Sequence, residues 1–355
     1  MRLRFPLLCG ALVLALTTAT SAQTPAAPFR FLVSGDARNC GDVVMPGIAQ
    51  IAKREQVSFY WHLGDLRLGS NFDEDIQHQP SFLARPWTVG QYLTGAWPDF
   101  IASQIVPFGS IPFMIGIGNH ELSPPHTRED FIIQFADWLN TPQIRDQRLA
   151  DDPADHRVKT YYHWIDRGVD FIFIDNVSVD QVNAAQFAWL TRVLQRASAN
   201  AAVNTIVIGM HDPLPDGYNT HSMNESPQGI ESGRRIYAAL LKVQNDTHKH
   251  VYVVASHEHN YQENAYDTPY WREHGGVLPG WVVGTAGAQR YALPVPSPKV
   301  AMTNVYGALL GTVNRDGTID FSYQQVKEPD TPADVVSKYG QDFVHWCFAQ
   351  NTNAR

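Results

Sequence analysis

Short apolar runs rich in β-branched and aromatic residues alternate along the chain with longer segments of helical periodicity. The apolar runs predict strands, and most of the earlier ones are apolar on both faces, as expected of strands buried between two layers. The predicted strands cover residues 29–34, 57–63, 111–117, 160–165, 169–175, 204–209, 251–256, 280–284, 307–313 and 318–326.

Segments in which apolar residues recur every three or four positions predict helices between these strands. The predicted helices cover residues 43–55, 130–139, 181–197 and 234–244. Strands and helices alternate at first and strands follow one another at the end, which indicates an α/β core with an antiparallel addition. Residues 71–107 and 212–230 are rich in proline, glycine and polar side chains, and we interpret them as long loops over one end of the sheet.

The first residues have the three parts of a secretory signal peptide. Arg2 and Arg4 precede a short apolar core over residues 7–15, and small residues at 20–22 offer a cleavage site. The apolar core is shorter than the ~20 residues that a membrane-spanning helix requires, so a membrane anchor is the weaker interpretation. We therefore predict a signal peptide over residues 1–22, a secreted or periplasmic protein, and no stable membrane insertion.

The composition narrows the class of protein. Apolar residues make up 44% of the 355 residues and charged residues 17%, so a folded core is expected. The formal net charge of −8 indicates no phosphate-neutralising surface, so we expect no nucleic-acid partner. Cys40 and Cys347 remain after removal of the predicted signal peptide. In an oxidising compartment they favour one disulfide, with two separate buried thiols as the alternative.

Five polar clusters each follow directly on the C-terminal end of a predicted strand. They are Gly35-Asp36-Ala37-Arg38, Gly64-Asp65, Gly118-Asn119-His120-Glu121, His211-Asp212 and His257-Glu258-His259. Ligands of open α/β sheets bind beyond the carboxyl ends of the strands, so these clusters are predicted to meet at one edge. Any one cluster alone is compatible with a helix cap or a structural histidine, but the five together are not.

The candidate ligands in these clusters comprise two carboxylates, one amide oxygen and three imidazoles. Such mixed oxygen and nitrogen donors suit Mn, Fe or Zn rather than a soft cation. A carboxylate has two oxygens and can bridge two metal ions. The sequence therefore predicts a site for two transition metals, whose candidate ligands are Asp36, Asp65, Asn119, His211, His257 and His259.

In this order, the motifs GDAR, GDLR, GNHE, HDP and SHEH resemble those of the calcineurin-like metallophosphoesterase superfamily, which includes the purple acid phosphatases. The resemblance extends from Gly35 to His259, and the Gly-Asn-His-Glu block is its most specific part. It implies a four-layer α/β/β/α sandwich. We expect the catalytic domain to cover residues 29–326, and a disulfide between the two cysteines would pin the tail, residues 327–355, beside the site.

The resemblance also implies a role for each matching residue. The implied bridging ligand is Asp65, one metal site is completed by Asn119, His211 and His257, and the other holds Asp36 and His259. His120 matches the histidine that assists the leaving group, and Glu121 matches an acidic residue that can orient the imidazole of His120. A hydroxide held by the metals would attack phosphorus.

Two positions depart from the family pattern. Arg38 stands where many members have histidine, and Leu68 stands where purple acid phosphatases have a metal-binding tyrosine. The first metal site therefore lacks a usual ligand, which water, Asn39 or another loop residue would replace. A guanidinium does not bind metal but can hold phosphate oxygens in a bidentate fashion, so Arg38 is a candidate substrate-binding residue.

The resemblance implies metal-dependent hydrolysis of a phosphate ester, and we expect a small-molecule substrate, with phosphomonoesters favoured. A phosphodiesterase acting on nucleotides or lipid head groups is one alternative. A degenerate member that binds phosphate or metal without turnover is the other. Arg38 supports this last alternative, whereas His120 opposes it because a leaving-group acid has no use without catalysis.

Overall fold

The computed structural model describes residues 27–178, 182–349 and 351–353. The predicted signal peptide, residues 1–22, lies outside these ranges. Within them, none of the helices combines the length and the apolar character needed to cross a bilayer.

One mixed sheet consists of β1 (Phe29–Ser34), β2 (Tyr60–His62), β3 (Phe113–Ile115), β12 (Tyr306–Val313) and β13 (Ile319–Val326). The strand order is β13-β12-β1-β2-β3. The strands β1, β2 and β3 are parallel, and β12 pairs antiparallel with both β1 and β13. The parallel strands therefore direct the loops after β1, β2 and β3 to the same edge.

The second sheet consists of β4 (Tyr162–Asp166), β5 (Val169–Phe173), β6 (Thr205–Gly209), β7 (His250–Ala255), β8 (Tyr261–Glu263), β9 (Gly280–Val283) and β11 (Ala301–Met302). Its order is β11-β8-β9-β7-β6-β5-β4, with β5, β6, β7 and β9 parallel. A separate short pair joins β10 (Arg290–Tyr291) to β14 (Thr352–Asn353).

The helices lie between the strands and at the C-terminal end. They are α1 (Gly41–Arg54), α2 (Pro80–Ala84), α3 (Val89–Phe100), α4 (Arg128–Gln134), α5 (Ala136–Leu139), α6 (Pro142–Asp151), α7 (Ala184–Ala199), α8 (Pro227–Thr247), α9 (Pro269–Glu273), α10 (Ala333–Tyr339) and α11 (Gln341–Ala349). The single helix predicted over residues 130–139 is interrupted at Phe135, which leaves the helical backbone conformation and separates α4 from α5.

The two sheets pack face to face, and helices cover their outer faces. Phe171 and Phe173 of β5 lie in the aromatic core between the sheets, whereas Ile172 lies in a second core with residues of α7 and α8. This alternation is what a strand buried on both faces requires. The helix α1 contacts β12 and β13 on the other side of the molecule. The predicted four-layer α/β/β/α sandwich is therefore confirmed.

Residues 71–107 are largely helical, so their interpretation as a long loop is wrong. The helix α3 begins at a capping box, in which Thr88 and Gln91 each accept a hydrogen bond from the backbone N–H of the other. Gly90 and Gly95 lie in this helix, and a Cβ at either position would meet no atom within 4 Å. The glycines that suggested a loop are therefore accommodated on an open helix surface.

The C-terminal residues pack against the first sheet and its helix. Four of their side chains are buried in the same hydrophobic core as residues of the first sheet and α1: Val335, Tyr339, Phe343 and Val344. Cys347 forms a disulfide with Cys40, which holds α11 beside the loop after β1. The Arg290 guanidinium donates hydrogen bonds to the carbonyls of Phe348 and Asn351, so β10 is bound to the same end of the chain.

Candidate metal centre

The loops that follow β1, β2 and β7 constrain one another at the edge where the candidate ligands meet. Three candidate ligands have a left-handed backbone, with φ of 61° at Asp36, 59° at Asp65 and 69° at His257. Non-glycine residues adopt this conformation rarely and at an energetic cost, which neighbouring contacts must offset. Here Asp36 N donates to the Gly64 carbonyl, and His257 N donates to Oδ2 of Asp36 at 2.7 Å.

Two glycines let the loops after β2 and β3 approach closely. Gly64 has a φ of +105°, and a Cβ there would lie 2.4 Å from the nitrogen of Gly118. A Cβ at Gly118 would lie 2.2 Å from Oδ1 of Asp65. Both distances are far below contact distance, so a side chain at either position would displace the Asp65 carboxylate or its loop.

Asp65, His211 and His257 form a first group of potential ligand atoms, all within 4.8 Å of one another. Nε2 of His211 lies 3.3 Å from Oδ1 of Asp65 and 3.0 Å from Nδ1 of His257. It also lies 3.0 Å from Oδ1 of Asn119. The Asn119 amide oxygen therefore faces the same point as the two imidazoles and the carboxylate.

Asp36, Asp65 and His259 form a second group, whose ligand atoms also lie within 4.8 Å of one another. Nε2 of His259 lies 3.3 Å from Oδ1 of Asp36. Among the described residues, this buried Oδ1 finds no hydrogen-bond donor. An unsatisfied buried carboxylate oxygen is costly, and a cation would satisfy it. Asp65 belongs to both groups, so the residues present fit two metal ions that share one carboxylate.

Backbone carbonyls orient two of the imidazoles. Nδ1 of His211 lies 3.1 Å from the Leu63 carbonyl, and Nδ1 of His259 lies 2.6 Å from the Gln289 carbonyl. We infer from these acceptors that each ring, in its neutral form, carries its proton on Nδ1. The lone pair is then on Nε2, the atom that faces the ligand groups, which is how ligating histidines are usually held.

Burial controls the protonation of the buried ligand candidates. It lowers the pKa of His257 and His259 well below the ordinary value, so both imidazoles are neutral at pH 7, as metal binding requires. It raises the pKa of Asp36 to about 6, although the electrostatic interaction with His211 acts to lower it. Burial also acts to raise the pKa of Asp65, but electrostatic interactions, first with His211 and next with His120 and Arg38, outweigh burial and lower it. Asp65 is therefore ionised, as a bridging carboxylate must be.

His120 lies at the partly exposed side of the first group. Its Nε2 is 3.7 Å from Oδ2 of Asp65, and its Nδ1 is 2.8 Å from the Leu68 carbonyl. The Leu68 position, where purple acid phosphatases have a tyrosine, thus contributes its backbone rather than its side chain. The Leu68 carbonyl orients the His120 ring with Nε2 toward the site.

The expectation that Glu121 orients the His120 imidazole is wrong. The buried Glu121 carboxylate instead accepts hydrogen bonds from the backbone N–H groups of Asp65, Leu66 and Gly118, at 2.7 to 2.9 Å. Burial raises the pKa of Glu121 to about 8, with repulsion from Asp65 as the next cause. Glu121 therefore holds together the two loops that carry the bridging candidate and the Asn-His pair.

Tyr291 is a residue of the site that sequence reasoning missed. Its ring stacks on that of His259, with 4.0 Å between centroids, and its hydroxyl accepts a hydrogen bond of 3.2 Å from Arg38. A terminal nitrogen of Arg38 lies 3.4 Å from Nε2 of His259, and Nε of Arg38 lies 4.0 Å from Oδ2 of Asp65. The guanidinium therefore lies against the second ligand group, at the position where the family pattern has histidine.

Glu258, between the two histidines of the last cluster, holds a loop at the mouth of the site. Its buried carboxylate accepts hydrogen bonds from the backbone N–H groups of Thr220 and His221. The centroid of the His221 ring lies 6.1 Å from that of His257 and 5.7 Å from that of Tyr291. The His221 side chain is exposed, as expected of a loop residue, but it borders the candidate centre.

Comparison with known proteins agrees with this geometry. The calcineurin-like phosphoesterase family model matches residues 29–261, which include all five polar clusters. A purple acid phosphatase isolated from yellow lupin (Lupinus luteus) seeds is similar at 18% identity and a TM-score of 0.57, over 84% of this chain and 52% of that one. A structure of PhoD is similar at 15% identity and a TM-score of 0.53, over 85% of this chain and 73% of that one.

The structural likenesses concern the fold, and the chain spans about half the length of the lupin protein. No curated protein sequence matches the chain. The family model, in contrast, matches most of the sequence and begins at β1. The resemblance drawn from the motifs is therefore confirmed: the chain belongs to the calcineurin-like phosphoesterase family.

Proposed function

We propose that the protein is a dinuclear-metal phosphoesterase that hydrolyses small phosphate esters, with monoesters preferred. The observation that supports this most directly is the position of Asp65, whose carboxylate belongs to both groups of potential ligand atoms. Family membership supports the same class of reaction.

The proposed ligands lie in loops of both sheets that meet at one edge of the sandwich. They are divided between two metals. In this proposal Asp65 bridges, Asn119, His211 and His257 complete one site, and Asp36 and His259 serve the other. The oxygen and imidazole donors suit Mn, Fe or Zn. When bound, the metals polarise the phosphoryl group and supply a hydrolytic nucleophile at neutral pH.

Arg38 would hold the phosphoryl group beside the second ligand group. Its hydrogen bond to the Tyr291 hydroxyl restrains the guanidinium before substrate arrives. A guanidinium donates two parallel hydrogen bonds to phosphate oxygens. A monoester offers three unesterified oxygens and a diester only two, so a guanidinium acting beside two metals favours the monoester.

His120 would protonate the leaving oxygen. Its Nδ1–H donates to the Leu68 carbonyl, so in the imidazolium form the second proton is on Nε2, on the Asp65 side of the ring. Release of that proton to the leaving alkoxide is general acid catalysis.

The proposed secreted or periplasmic location is supported by the Cys40–Cys347 disulfide, because disulfides persist in oxidising compartments.

One observation favours the second candidate function, a member that binds ligands without turnover. The Arg38 guanidinium approaches Nε2 of His259 to 3.4 Å, so its positive charge opposes a cation bound by the second group. If this repulsion dominates, only the group formed by Asp65, His211 and His257 would hold metal.

Hydrolysis of p-nitrophenyl phosphate and bis(p-nitrophenyl) phosphate, with Mn, Zn or Fe added, tests the proposal. We expect turnover of both, with kcat/KM for the monoester at least tenfold higher. A preference for the diester would make the protein a phosphodiesterase. Absence of turnover with every metal would favour the non-catalytic member.

The variant Arg38→Ala separates the two roles of the guanidinium. If Arg38 holds phosphate, kcat/KM falls about 100-fold, as on loss of a strong charge-assisted contact. If Arg38 instead repels the second metal, the substitution raises metal content and activity. Arg54→Ala, at an exposed arginine distant from the site, is the matched control and leaves both unchanged.

A further inference from the structure

A cavity of about 410 Å³ opens directly beside the candidate metal centre. It is lined by residues 220–221, Glu258 and residues 291–295. Tyr291 also stacks on the proposed ligand His259, and Glu258 lies between two proposed ligands in sequence. The cavity and the centre therefore share a wall.

The outer wall of the cavity is apolar. It consists of four consecutive apolar residues, 292–295, of which Val295 is 97% exposed. Among the described residues that line the cavity, none is lysine or arginine. The one carboxylate, that of Glu258, is already engaged by the backbone of Thr220 and His221. The His221 imidazole also lines the cavity, and its Nδ1 is already paired with Oε1 of Glu225 at 3.0 Å. An anionic group against residues 292–295 would find no lysine or arginine there, whereas an apolar group would cover exposed hydrocarbon.

The wall is held in place by contacts at its base. Thr303 donates a hydrogen bond to the Tyr291 carbonyl, and Ser297 donates one to the Pro294 carbonyl. The neighbouring Arg290 is bound to the carbonyls at the C-terminal end of the chain. The cavity is thus formed before ligand arrives, which is usual for small-molecule sites of this size.

We propose that this cavity is the leaving-group subsite and that it selects phosphate esters of uncharged, apolar alcohols or phenols. This inference rests on the proposed phosphoesterase function and names its substrate class. The phosphoryl group lies at the metal centre against Arg38, and the aryl or alkyl group lies against Leu293 and Val295. A phosphate ester with a second negative charge on its alcohol portion is disfavoured, because residues 292–295 offer that charge no lysine or arginine.

Three aryl phosphates with phenols of similar basicity test this selectivity: phenyl, 1-naphthyl and 4-carboxyphenyl phosphate. We expect kcat/KM to be highest for 1-naphthyl phosphate and at least tenfold lower for 4-carboxyphenyl phosphate. An added ring buries more hydrocarbon against the wall, and an added carboxylate is desolvated without a partner.

The variant Val295→Lys places a cation at the wall of the cavity. We expect it to raise kcat/KM for 4-carboxyphenyl phosphate at least fivefold and to lower that for 1-naphthyl phosphate by a similar factor. A general loss of stability lowers both and cannot produce this inversion. Val300→Lys is the matched control, because Val300 is an exposed valine of the same segment that does not line the cavity.

The possible outcomes distinguish failure of the proposed subsite from failure of the proposed phosphoesterase function. Equal kcat/KM for the three esters, unchanged by Val295→Lys, would overturn the subsite and leave the phosphoesterase function in place. Absence of hydrolysis of all three esters with Mn, Zn and Fe would overturn the function and the subsite together.

Discussion

Three of the candidate metal ligands share a strained backbone conformation. Asp36, Asp65 and His257 all lie in the left-handed region, which costs about 1–3 kcal/mol for a residue with a side chain. Their strain is offset by hydrogen bonds between the loops, such as that from His257 N to Asp36. Side-chain chemistry in the sequence indicates these residues as ligands, but their backbone conformation depends on contacts between loops and is not predictable from local patterns.

The close approach of Gly118 to Asp65 provides a test of the proposed bridging ligand. In Gly118→Ala the added Cβ would lie 2.2 Å from Oδ1 of Asp65, so the carboxylate must move. A displacement of about 1 Å at a reacting centre costs about 100-fold in rate, and we expect kcat/KM to fall by this factor with loss of bound metal.

Gly95→Ala is the control for that substitution. A Cβ at Gly95 meets open space on the surface of α3, so we expect unchanged activity and a free energy of unfolding raised by about 0.5–1 kcal/mol. Full activity and metal content in Gly118→Ala would show that Asp65 does not act from the position described.

The role of His120 is tested by the basicity of the leaving group. We expect His120→Ala to lower kcat/KM about 100-fold or more for alkyl phosphates, which need the proton, and much less for p-nitrophenyl phosphate. His126→Ala is the control, since His126 stacks on Trp97 and contacts no proposed ligand. Equal losses for both esters would contradict the assignment of His120 as the acid.

At the scale of elements, sequence patterns predict the buried elements well and the exposed ones poorly. Strands such as β5 and β6 are apolar on both faces, and their patterns predict them to within a few residues. The helix α6 is not predicted because Ile144 is its one buried side chain, so it has no apolar stripe. Its start depends instead on Thr141 as N-cap and Pro142 in the first turn, which is a weaker signal.

One interaction between elements predicts a pH dependence of stability. His163 of β4 lies between Asp170 of β5 and Asp151 of α6, at 2.8 and 2.7 Å. Burial alone would lower the pKa of His163, but the hydrogen bonds to the two carboxylates outweigh it and raise the pKa to about 9. Burial raises the pKa of Asp170, yet the imidazole, flanked by two carboxylates, is the group that keeps the proton.

A histidine whose pKa is raised on folding stabilises the protein fully below its unfolded pKa of about 6.5, and this contribution is lost as pH rises through about 9. We expect the free energy of unfolding to fall by at most about 3 kcal/mol between these values. Chemical denaturation of His163→Gln should give a lower free energy of unfolding at pH 6.5 and a smaller decrease between that pH and about 9. The same slope in both proteins would contradict the buried ion pair.

For the molecule as a whole, the centre depends on both sheets and on the C-terminal end of the chain. The rule that ligands bind beyond the carboxyl ends of strands suffices to predict that the polar clusters of both sheets meet at one edge. Tyr291 and the cavity are not predictable in this way, because their position depends on Arg290 and on the disulfide-bound helix α11, which are distant in sequence from the motifs. Local sequence patterns indicate which residues can bind metal, whereas the residues that surround these ligands are positioned by long-range packing.

The central claim is that Asp65 bridges two metals, and metal content measures it most directly. Elemental analysis of the purified protein after incubation with Mn or Zn should give two metal ions per chain, one for each group of ligand atoms. Asp65→Asn should retain at most one, with loss of turnover, while Asp137→Asn at an exposed position should retain both. Two metals in Asp65→Asn, or at most one in the native chain with every metal, would contradict the dinuclear account.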